Sequence, residues 1–184
     1  METRIVVMGV SGCGKTTLGA ALADRIGAAF IDGDSLHSPE NVAKMTRGEP
    51  LTDEDRWPWL ETIGRRLGGA DGPIVFASSA LRRRYRDRIT KAAGAPVLFI
   101  HMAGDIHLIE ARMRARKDHY MPPSLLRSQF DALETPGPDE NAFAVGIDGS
   151  PDEVLAAAVR GLEARAVPPH GRAPDPGRAP VSGA

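Results

Sequence analysis

The sequence predicts an α/β fold, in which a parallel five-stranded sheet carries helices on both faces. Short apolar runs of strand length alternate along the chain with longer amphipathic stretches of helix length. A strand that is joined to the next strand through a helix belongs to a parallel sheet. The sharpest polar and glycine-containing motifs come directly after apolar runs, and ligands of such sheets bind beyond the carboxyl ends of the strands. A ligand site is therefore expected at that edge.

The individual elements follow in order from the hydrophobic pattern. Leu18, Leu22 and Ile26 lie four residues apart, so they share one face of a helix. Thr52 precedes three acidic residues, which is typical of a helix N-cap and first turn, and Pro58 predicts that this helix has two parts. The predicted elements are strand 5–8, helix 15–26, strand 29–31, helix 41–47, helix 52–67, strand 74–77, helix 81–93, strand 97–101, helix 105–116, helix 124–133, strand 143–147 and helix 151–166.

The composition is that of one ordinary globular domain, predicted over residues 1–166. The formal net charge of −1 gives no overall field that favours nucleic acid or a membrane surface. The single cysteine, Cys13, excludes an internal disulfide, and no run approaches the ~20 apolar residues of a membrane span. A cytoplasmic protein without nucleic-acid or membrane partners is expected. Residues 167–184 hold five prolines and three glycines without apolar periodicity, which predicts a disordered tail.

Residues 9–16 carry the most specific motif, because they match the phosphate-binding pattern G-x-x-x-x-G-K-[ST] at every fixed position, between a predicted strand and helix. Glycines let the backbone wrap a phosphate with its N–H groups inward, and the helix start adds its positive end. Lys15 is predicted to reach the β- and γ-phosphates of ATP, and Thr16 to ligate Mg²⁺. Cys13 is interpreted as a small loop residue, the alternative being a thiol of lowered pKa. The predicted nucleotide ligands here are Gly9, Val10, Ser11, Gly12, Cys13, Gly14, Lys15, Thr16 and Thr17.

Two acidic residues, Asp32 and Asp34, follow the second predicted strand. Beside a phosphate-binding loop, two such acids are expected to have different functions, one toward the metal and one toward the substrate. Asp32 is predicted to hold magnesium through water, and Asp34 to contact a substrate hydroxyl or take its proton. The alternative is a plain turn, since Asp and Gly are common turn residues.

A series of short motifs accompanies this loop along the chain. They are Asp32-Gly33-Asp34, Leu36-His37, Asn41 with Lys44-Met45, Gly48-Glu49-Pro50-Leu51, Asp53 with Asp55-Arg56, Pro58-Trp59-Leu60, Ser79-Ala80-Leu81, Tyr85-Arg86-Asp87, Ala115-Arg116-Lys117 with His119, and Gln129-Phe130 before Leu133-Glu134 and Pro136. In this order the chain resembles the gluconokinase family over about residues 4–161. The resemblance implies ATP-dependent phosphorylation of D-gluconate to 6-phospho-D-gluconate, a fold of the nucleoside monophosphate kinase type among P-loop NTPases, and a homodimer.

The residues also suit a substrate with one carboxylate and several hydroxyls, which needs cations, carboxylates and amides around it. By resemblance, Asp34 contacts the reacting hydroxyl, and Arg56 and Arg86 orient the substrate or its carboxylate. For any one arginine the alternative is a solvated or ion-paired surface residue. The predicted substrate ligands are Asp34, His37, Arg56, Ser79, Arg82, Arg86 and Gln129.

A basic segment near residues 112–124 looks like the lid of such kinases. Arg112 and Arg116 are predicted to contact ATP there. The predicted catalytic residues are Lys15 and Arg116, which offset charge on the transferred phosphoryl group, and Asp34, which acts on the acceptor hydroxyl. The alternative is a basic helix end, which the helix dipole favours in any case. The chain departs from many family members at Ser78, where they have Cys, and at Arg82, where they have Lys, which affects the sugar acid expected.

Two rival functions stay open from the sequence. The first is another kinase of the same fold, such as one for shikimate or a nucleoside. Shikimate is disfavoured, because this chain has Ser78-Ser79-Ala80-Leu81 where shikimate kinases use a glycine triplet. A nucleotide-binding regulatory protein without transfer activity would need only the phosphate-binding loop. A GTPase is disfavoured, because no Asn-Lys-x-Asp motif is present.

Overall fold

The computed structural model describes residues 4–115 and 123–166, and within them it confirms the predicted parallel sheet. The five strands stand in the order β2-β3-β1-β4-β5, and every neighbouring pair is parallel. The strands are β1 Arg4–Met8, β2 Ala29–Asp32, β3 Ile74–Ala77, β4 Leu98–Ala103 and β5 Ala142–Gly146. The predicted tail 167–184 and part of the predicted lid lie outside the described residues.

Six α-helices and one 3₁₀ turn connect the described strands, and a seventh α-helix follows β5. The turn, Gly33–Leu36, directly follows β2. The helices are α1 Lys15–Ile26, α2 Pro39–Thr46, α3 Asp53–Gly68, α4 Arg83–Ala93, α5 Ile106–Ala115, α6 Pro123–Ala132 and α7 Pro151–Ala166. The crossovers place these elements on both faces of the sheet, so that the strand ends share one open edge.

The predicted break of the third helix at Pro58 is wrong, because α3 continues through this residue. A proline inside a helix costs about 3 kcal/mol. The continuous helix keeps Trp59, Leu60 and Ile63 buried in one interface, and each such side chain contributes about 1.5–3 kcal/mol. The predicted cap at Thr52 is confirmed, as its side chain accepts from the Asp55 N–H while the Asp55 carboxylate accepts from the Thr52 N–H.

The core lies in two layers, because alternate residues of each strand point to opposite faces of the sheet. In β1, Ile5 and Val7 pack on the side of α1 and α7, whereas Val6 and Met8 pack on the side of α3 and α4. Helices α3 and α4 approach closely at Gly64, where an added Cβ would lie 2.5 Å from the Ile89 carbonyl oxygen. Both faces are thus covered, which leaves the carboxyl edge of the sheet for polar residues.

Candidate active site

The loop between β1 and α1 has the backbone shape that a phosphate cradle requires. Gly9, Gly12 and Gly14 have φ of 148°, 80° and 100°, which residues with a Cβ rarely adopt. A Cβ on Gly9 would also lie 2.9 Å from the Cys13 sulfur. Burial raises the pKa of the Cys13 thiol, which agrees with a packing residue and not with a reactive thiolate.

The start of α1 supplies positive charge to this loop. Gly14 caps the helix without any side-chain hydrogen bond, and the first turn holds no acidic residue. Its leading N–H groups therefore face the loop interior, where an anion is favoured. The Lys15 ammonium donates to the Val10 carbonyl oxygen over 3.0 Å, so the cation is folded against the loop. These features fit the phosphates of a nucleotide.

A hydroxyl and a carboxylate meet where α1 adjoins the end of β2. Thr16 Oγ1 donates to Asp32 Oδ2 over 2.8 Å, and the other Asp32 oxygen accepts from the Asp34 N–H over 3.1 Å. Oxygen ligands of this kind suit Mg²⁺, which keeps several waters and shares phosphate oxygens. Within residues 4–115 and 123–166, no group of three or more His, Cys, Asp or Glu residues forms a metal site of its own. Thr16 and Asp32 thus supply two adjacent oxygen ligands of the kind that suits Mg²⁺.

The segment after β2 presents Asp34 and His37 against α3. The His37 ring stacks on Trp59 with centroids 4.2 Å apart, and the Trp59 indole N–H donates to the Gly33 carbonyl oxygen over 2.7 Å. Burial is the main cause that lowers the pKa of His37, with Arg56 lowering it further and Asp34 opposing. His37 is thus held as a neutral imidazole more readily than in water. The Asp34 side chain is exposed, and it has no hydrogen bond or ion pair with any other described residue.

Arg56 is held in place by an aromatic ring and a carbonyl. Its guanidinium lies 5.6 Å from the Tyr85 ring centroid and donates to the Leu51 carbonyl oxygen. The Tyr85 hydroxyl in turn donates to Asp53 over 2.6 Å. Burial, and then this hydrogen bond, raise the pKa of Tyr85, so the phenol stays neutral. No role was predicted for Tyr85 or Asp53, although both stand in the motifs that carry the resemblance.

Arg82 and Ser79 stand at the junction between β3 and α4. Arg82 is half-buried at the N-cap of α4, where its carbonyl oxygen accepts from the Tyr85 N–H over 3.0 Å. Its guanidinium makes no hydrogen bond or ion pair with the described residues. The Ser79 carbonyl oxygen accepts from the Gly9 N–H over 3.3 Å, so this junction abuts the phosphate-binding loop. Both residues therefore lie at the carboxyl edge, as the sequence predicts.

Arg86 has a different environment from the one expected. Its side chain is 1% exposed, and it donates to both carboxylate oxygens of Glu140, at 2.5 and 2.8 Å. Its remaining terminal nitrogen donates to the Ala80 and Leu81 carbonyl oxygens. Four of the five N–H groups of this guanidinium are thus engaged by the protein itself. We assign Arg86 a structural role, and its predicted substrate contact remains a prediction without support from this geometry.

Gln129 also contacts protein groups. Its side-chain oxygen accepts from the Ser11 N–H over 2.6 Å, and its side-chain nitrogen donates to Ser11 Oγ over 3.0 Å. The structure thus brings Gln129 to the phosphate-binding loop, and its predicted substrate contact stays untested.

A cavity of roughly 260 Å³ opens beside the phosphate-binding loop. Its wall includes Thr17 of α1, Arg112 of α5, Gly149 in the turn before α7, and Asp152 in the first turn of α7. Arg112 donates to the Gly149 carbonyl oxygen over 3.3 Å, which closes one side. Arg116, the other predicted arginine of this region, lies outside the described residues.

Comparison with known proteins places this geometry among kinases. A family model described as an AAA domain matches residues 5–135. The gluconokinase of Gluconobacter oxydans (strain 621H) is 42% identical over 164 residues, which cover 87% of this chain and 91% of that protein. The thermoresistant gluconokinase of Escherichia coli (strain K12) is 40% identical over 159 residues, covering 84% and 90%.

Solved structures agree with these relatives. The crystal structure of a gluconokinase from Sinorhizobium meliloti 1021 matches with a TM-score of 0.83 and 44% identity, covering 89% of this chain and 93% of that one. Shikimate kinase from Aquifex aeolicus vf5 matches with a TM-score of 0.57 at 14% identity, which shows a shared fold alone.

Proposed function

The chain belongs to the gluconokinase family, and from that membership we propose that it transfers the terminal phosphoryl group of ATP to a hydroxyl of D-gluconate, giving 6-phospho-D-gluconate. The observation that carries the proposal is the 2.8 Å hydrogen bond between Thr16 and Asp32. It joins the phosphate-binding loop to the segment that presents Asp34, so a phosphate donor and a hydroxyl acceptor meet at one edge of the sheet.

On the nucleotide side, the phosphate-binding loop holds the phosphates of ATP and offsets their negative charge. The backbone N–H groups from Gly12 to Lys15 cradle the phosphates, and the Lys15 ammonium neutralises charge that grows on them. Thr16 would hold Mg²⁺ directly and Asp32 would hold it through water, and the bound ion would withdraw charge from the phosphate oxygens. Arg112 borders the cavity that takes the base and ribose. Arg116 and the lid over about residues 112–124 remain predictions from the resemblance.

On the substrate side, exposed or half-buried polar groups surround the space beyond β2 and β3. Asp34 orients the reacting hydroxyl and accepts its proton, because its carboxylate is exposed and has no partner in the described chain. His37 offers a neutral imidazole to a second hydroxyl, and Ser79 offers its own hydroxyl. Arg56 and Arg82 bind the gluconate carboxylate, since both stand at this edge and neither is part of an ion pair with the described residues.

The transfer is then a matter of position and charge. The acceptor hydroxyl, aimed by Asp34, attacks in line with the leaving oxygen, and the helix start and Lys15 stabilise the charge on the equatorial oxygens. Asp34 takes the proton as the new bond forms.

The direct test is an acceptor panel with purified protein, ATP and Mg²⁺. D-gluconate, related sugar acids and shikimate are compared by ADP release, and the product is identified by mass spectrometry. We expect phosphorylation of gluconate above all others. Phosphorylation of shikimate alone, or nucleotide binding without transfer to any acceptor, would overturn the proposal.

Two further properties belong to the proposal. A homodimer is expected from the resemblance, and light scattering on a sizing column tests it. A cytoplasmic location is also expected. Among the described helices, none has the length and hydropathy that a membrane-spanning segment requires.

A further inference from the structure

Gln129 of α6 binds Ser11 of the phosphate-binding loop through both the oxygen and the nitrogen of its side-chain amide. It accepts from the Ser11 N–H and donates to Ser11 Oγ, at 2.6 and 3.0 Å. The two residues are 118 positions apart, so only the tertiary fold brings them together. Both side chains are half-buried, which shields these bonds partly from water.

The Val10–Ser11 peptide that Gln129 binds also binds the catalytic Lys15. The Ser11 N–H and the Val10 carbonyl belong to a single planar unit, and that carbonyl accepts from Lys15 Nζ over 3.0 Å. A fixed N–H direction therefore fixes the opposite direction of the carbonyl, and with it the position of the ammonium. The Cys13 N–H also approaches this carbonyl, at 3.4 Å, so Lys15 binds an oxygen already anchored inside the loop.

We propose that Gln129 is a positioning residue for nucleotide binding, which orients the Val10–Ser11 peptide and through its carbonyl the ammonium of Lys15. The proposal rests on the proposed function, in which Lys15 contacts the phosphates of ATP. It replaces the direct substrate contact that the resemblance implies for Gln129. The effect of losing this side chain is then on ATP and not on gluconate.

Another side chain, Met113, also contacts the phosphate-binding loop, but through packing and not through hydrogen bonds. Met113 of α5 packs at Gly12, where an added Cβ would lie 2.7 Å from its side chain. This contact is apolar and fills space without orienting a peptide. Within the described residues, Gln129 makes the only side-chain hydrogen bond to the Ser11 N–H.

The experiment measures binding of a non-hydrolysable ATP analogue with Mg²⁺ to wild type and Gln129→Met, without any acceptor. Methionine keeps the length of the side chain and removes both hydrogen bonds. We expect the Kd for the analogue and the KM for ATP to rise about tenfold, with the KM for gluconate within twofold of wild type. A rise in the gluconate KM with unchanged analogue binding would overturn the proposal and restore a direct substrate contact.

Three companion variants make the outcome decisive. Ser128→Ala is the control, because among the described residues the hydroxyl of this exposed neighbour bonds only to the Leu125 carbonyl oxygen within α6. Binding of the analogue to this variant should match wild type. Gln129→Ala removes the same bonds without methionine's bulk, so a loss of analogue affinity seen with methionine alone would be steric and would overturn the proposal.

Ser11→Ala keeps the N–H that Gln129 binds, and we expect at most a threefold loss of analogue affinity. A loss equal to that of Gln129→Met would overturn the proposal, because it would show that the hydroxyl, and not the peptide, carries the effect.

Nucleotide-free unfolding midpoints separate positioning from folding. We expect Gln129→Met to unfold within about 3 °C of wild type, whereas a general loss of the fold would lower affinity for both substrates. Because analogue binding needs no acceptor, the inference is decided even if the wild type phosphorylates no gluconate, in which case the proposed function alone fails.

Discussion

The indole N–H of Trp59 donates to the carbonyl oxygen of Gly33 over 2.7 Å, while its ring stacks on His37. One buried side chain of α3 thus holds both ends of the short segment that carries Asp34. The bond joins residues 26 positions apart, and Trp59 is 5% exposed. The site depends on this tie because Asp34 itself has no anchoring side-chain bond within the described residues.

Trp59→Phe should keep an aromatic ring near His37 and leave the Gly33 carbonyl without its donor. An unpaired buried carbonyl costs about 1–3 kcal/mol, so the free energy of unfolding falls by that amount in urea titrations. We also expect kcat with gluconate to fall about tenfold or more, because Asp34 loses its exact placement. Trp57→Phe is the control, since it changes the neighbouring, half-buried tryptophan. Unchanged kcat in the Trp59 variant would contradict the positioning role.

Lys15→Met removes the cation of the phosphate-binding loop. The loss of one group that stabilises developing charge lowers kcat by about 10²–10³. The steady-state rate of ADP release with saturating gluconate measures it. Lys91→Met is the matched control, because Lys91 is exposed in the last turn of α4. Activity of Lys15→Met close to wild type would refute the assignment of the loop.

Arg56→Met should weaken gluconate binding while leaving ATP binding intact. A hydrogen bond to a charged partner is worth about 1.5–3 kcal/mol, which corresponds to a rise of roughly 10–150-fold in the gluconate KM. Arg56→Lys should recover only part of this loss, because an ammonium lacks the planar fork of a guanidinium. Arg66→Met, at an exposed position in the last turn of α3, serves as the control. An unchanged gluconate KM would exclude Arg56 from the carboxylate site.

The parts of the fold that the sequence predicted are those with local physical causes. The loop over residues 9–16 has glycine wherever φ is positive. Its shape can therefore be predicted from residues only a few positions apart. The strands could be predicted because a parallel sheet covered on both faces requires continuous apolar runs. The cap at Thr52 follows the same logic, since its partner Asp55 is three residues away.

The contacts that could not be predicted from the sequence join residues that lie far apart along the chain. Arg86 looks like any other basic residue of α4 until the fold brings Glu140, 54 positions away, to its guanidinium. Gln129 likewise becomes a partner of the phosphate-binding loop only through tertiary contact. Pro58 was expected to break a helix because propensity is local, whereas the burial that keeps α3 continuous is not.

Arg86 and Glu140 form a buried ion pair, in which the side chains are 1% and 8% exposed. Glu140→Gln keeps the shape of the side chain but leaves the Arg86 charge without its counterion. Breaking a buried pair in this way costs about 3–5 kcal/mol, so urea unfolding at pH 7.5 should show a large loss of stability. Glu163→Gln, an exposed residue of α7, should leave stability unchanged.

The pH dependence of the same variant tests the cause. Hydrogen bonds from Arg86 hold the pKa of Glu140 below its ordinary value of 4.5. The unfolded chain therefore binds this proton at a higher pH than the folded chain, and the contribution of the pair is present above pH 4.5 and lost as the pH falls through the folded pKa. We expect the stability gap between wild type and Glu140→Gln to be constant from pH 7.5 down to about 5 and to narrow below 4.5. A gap that stays constant to pH 3 would show that the variant is destabilised by its packing and not by the lost charge.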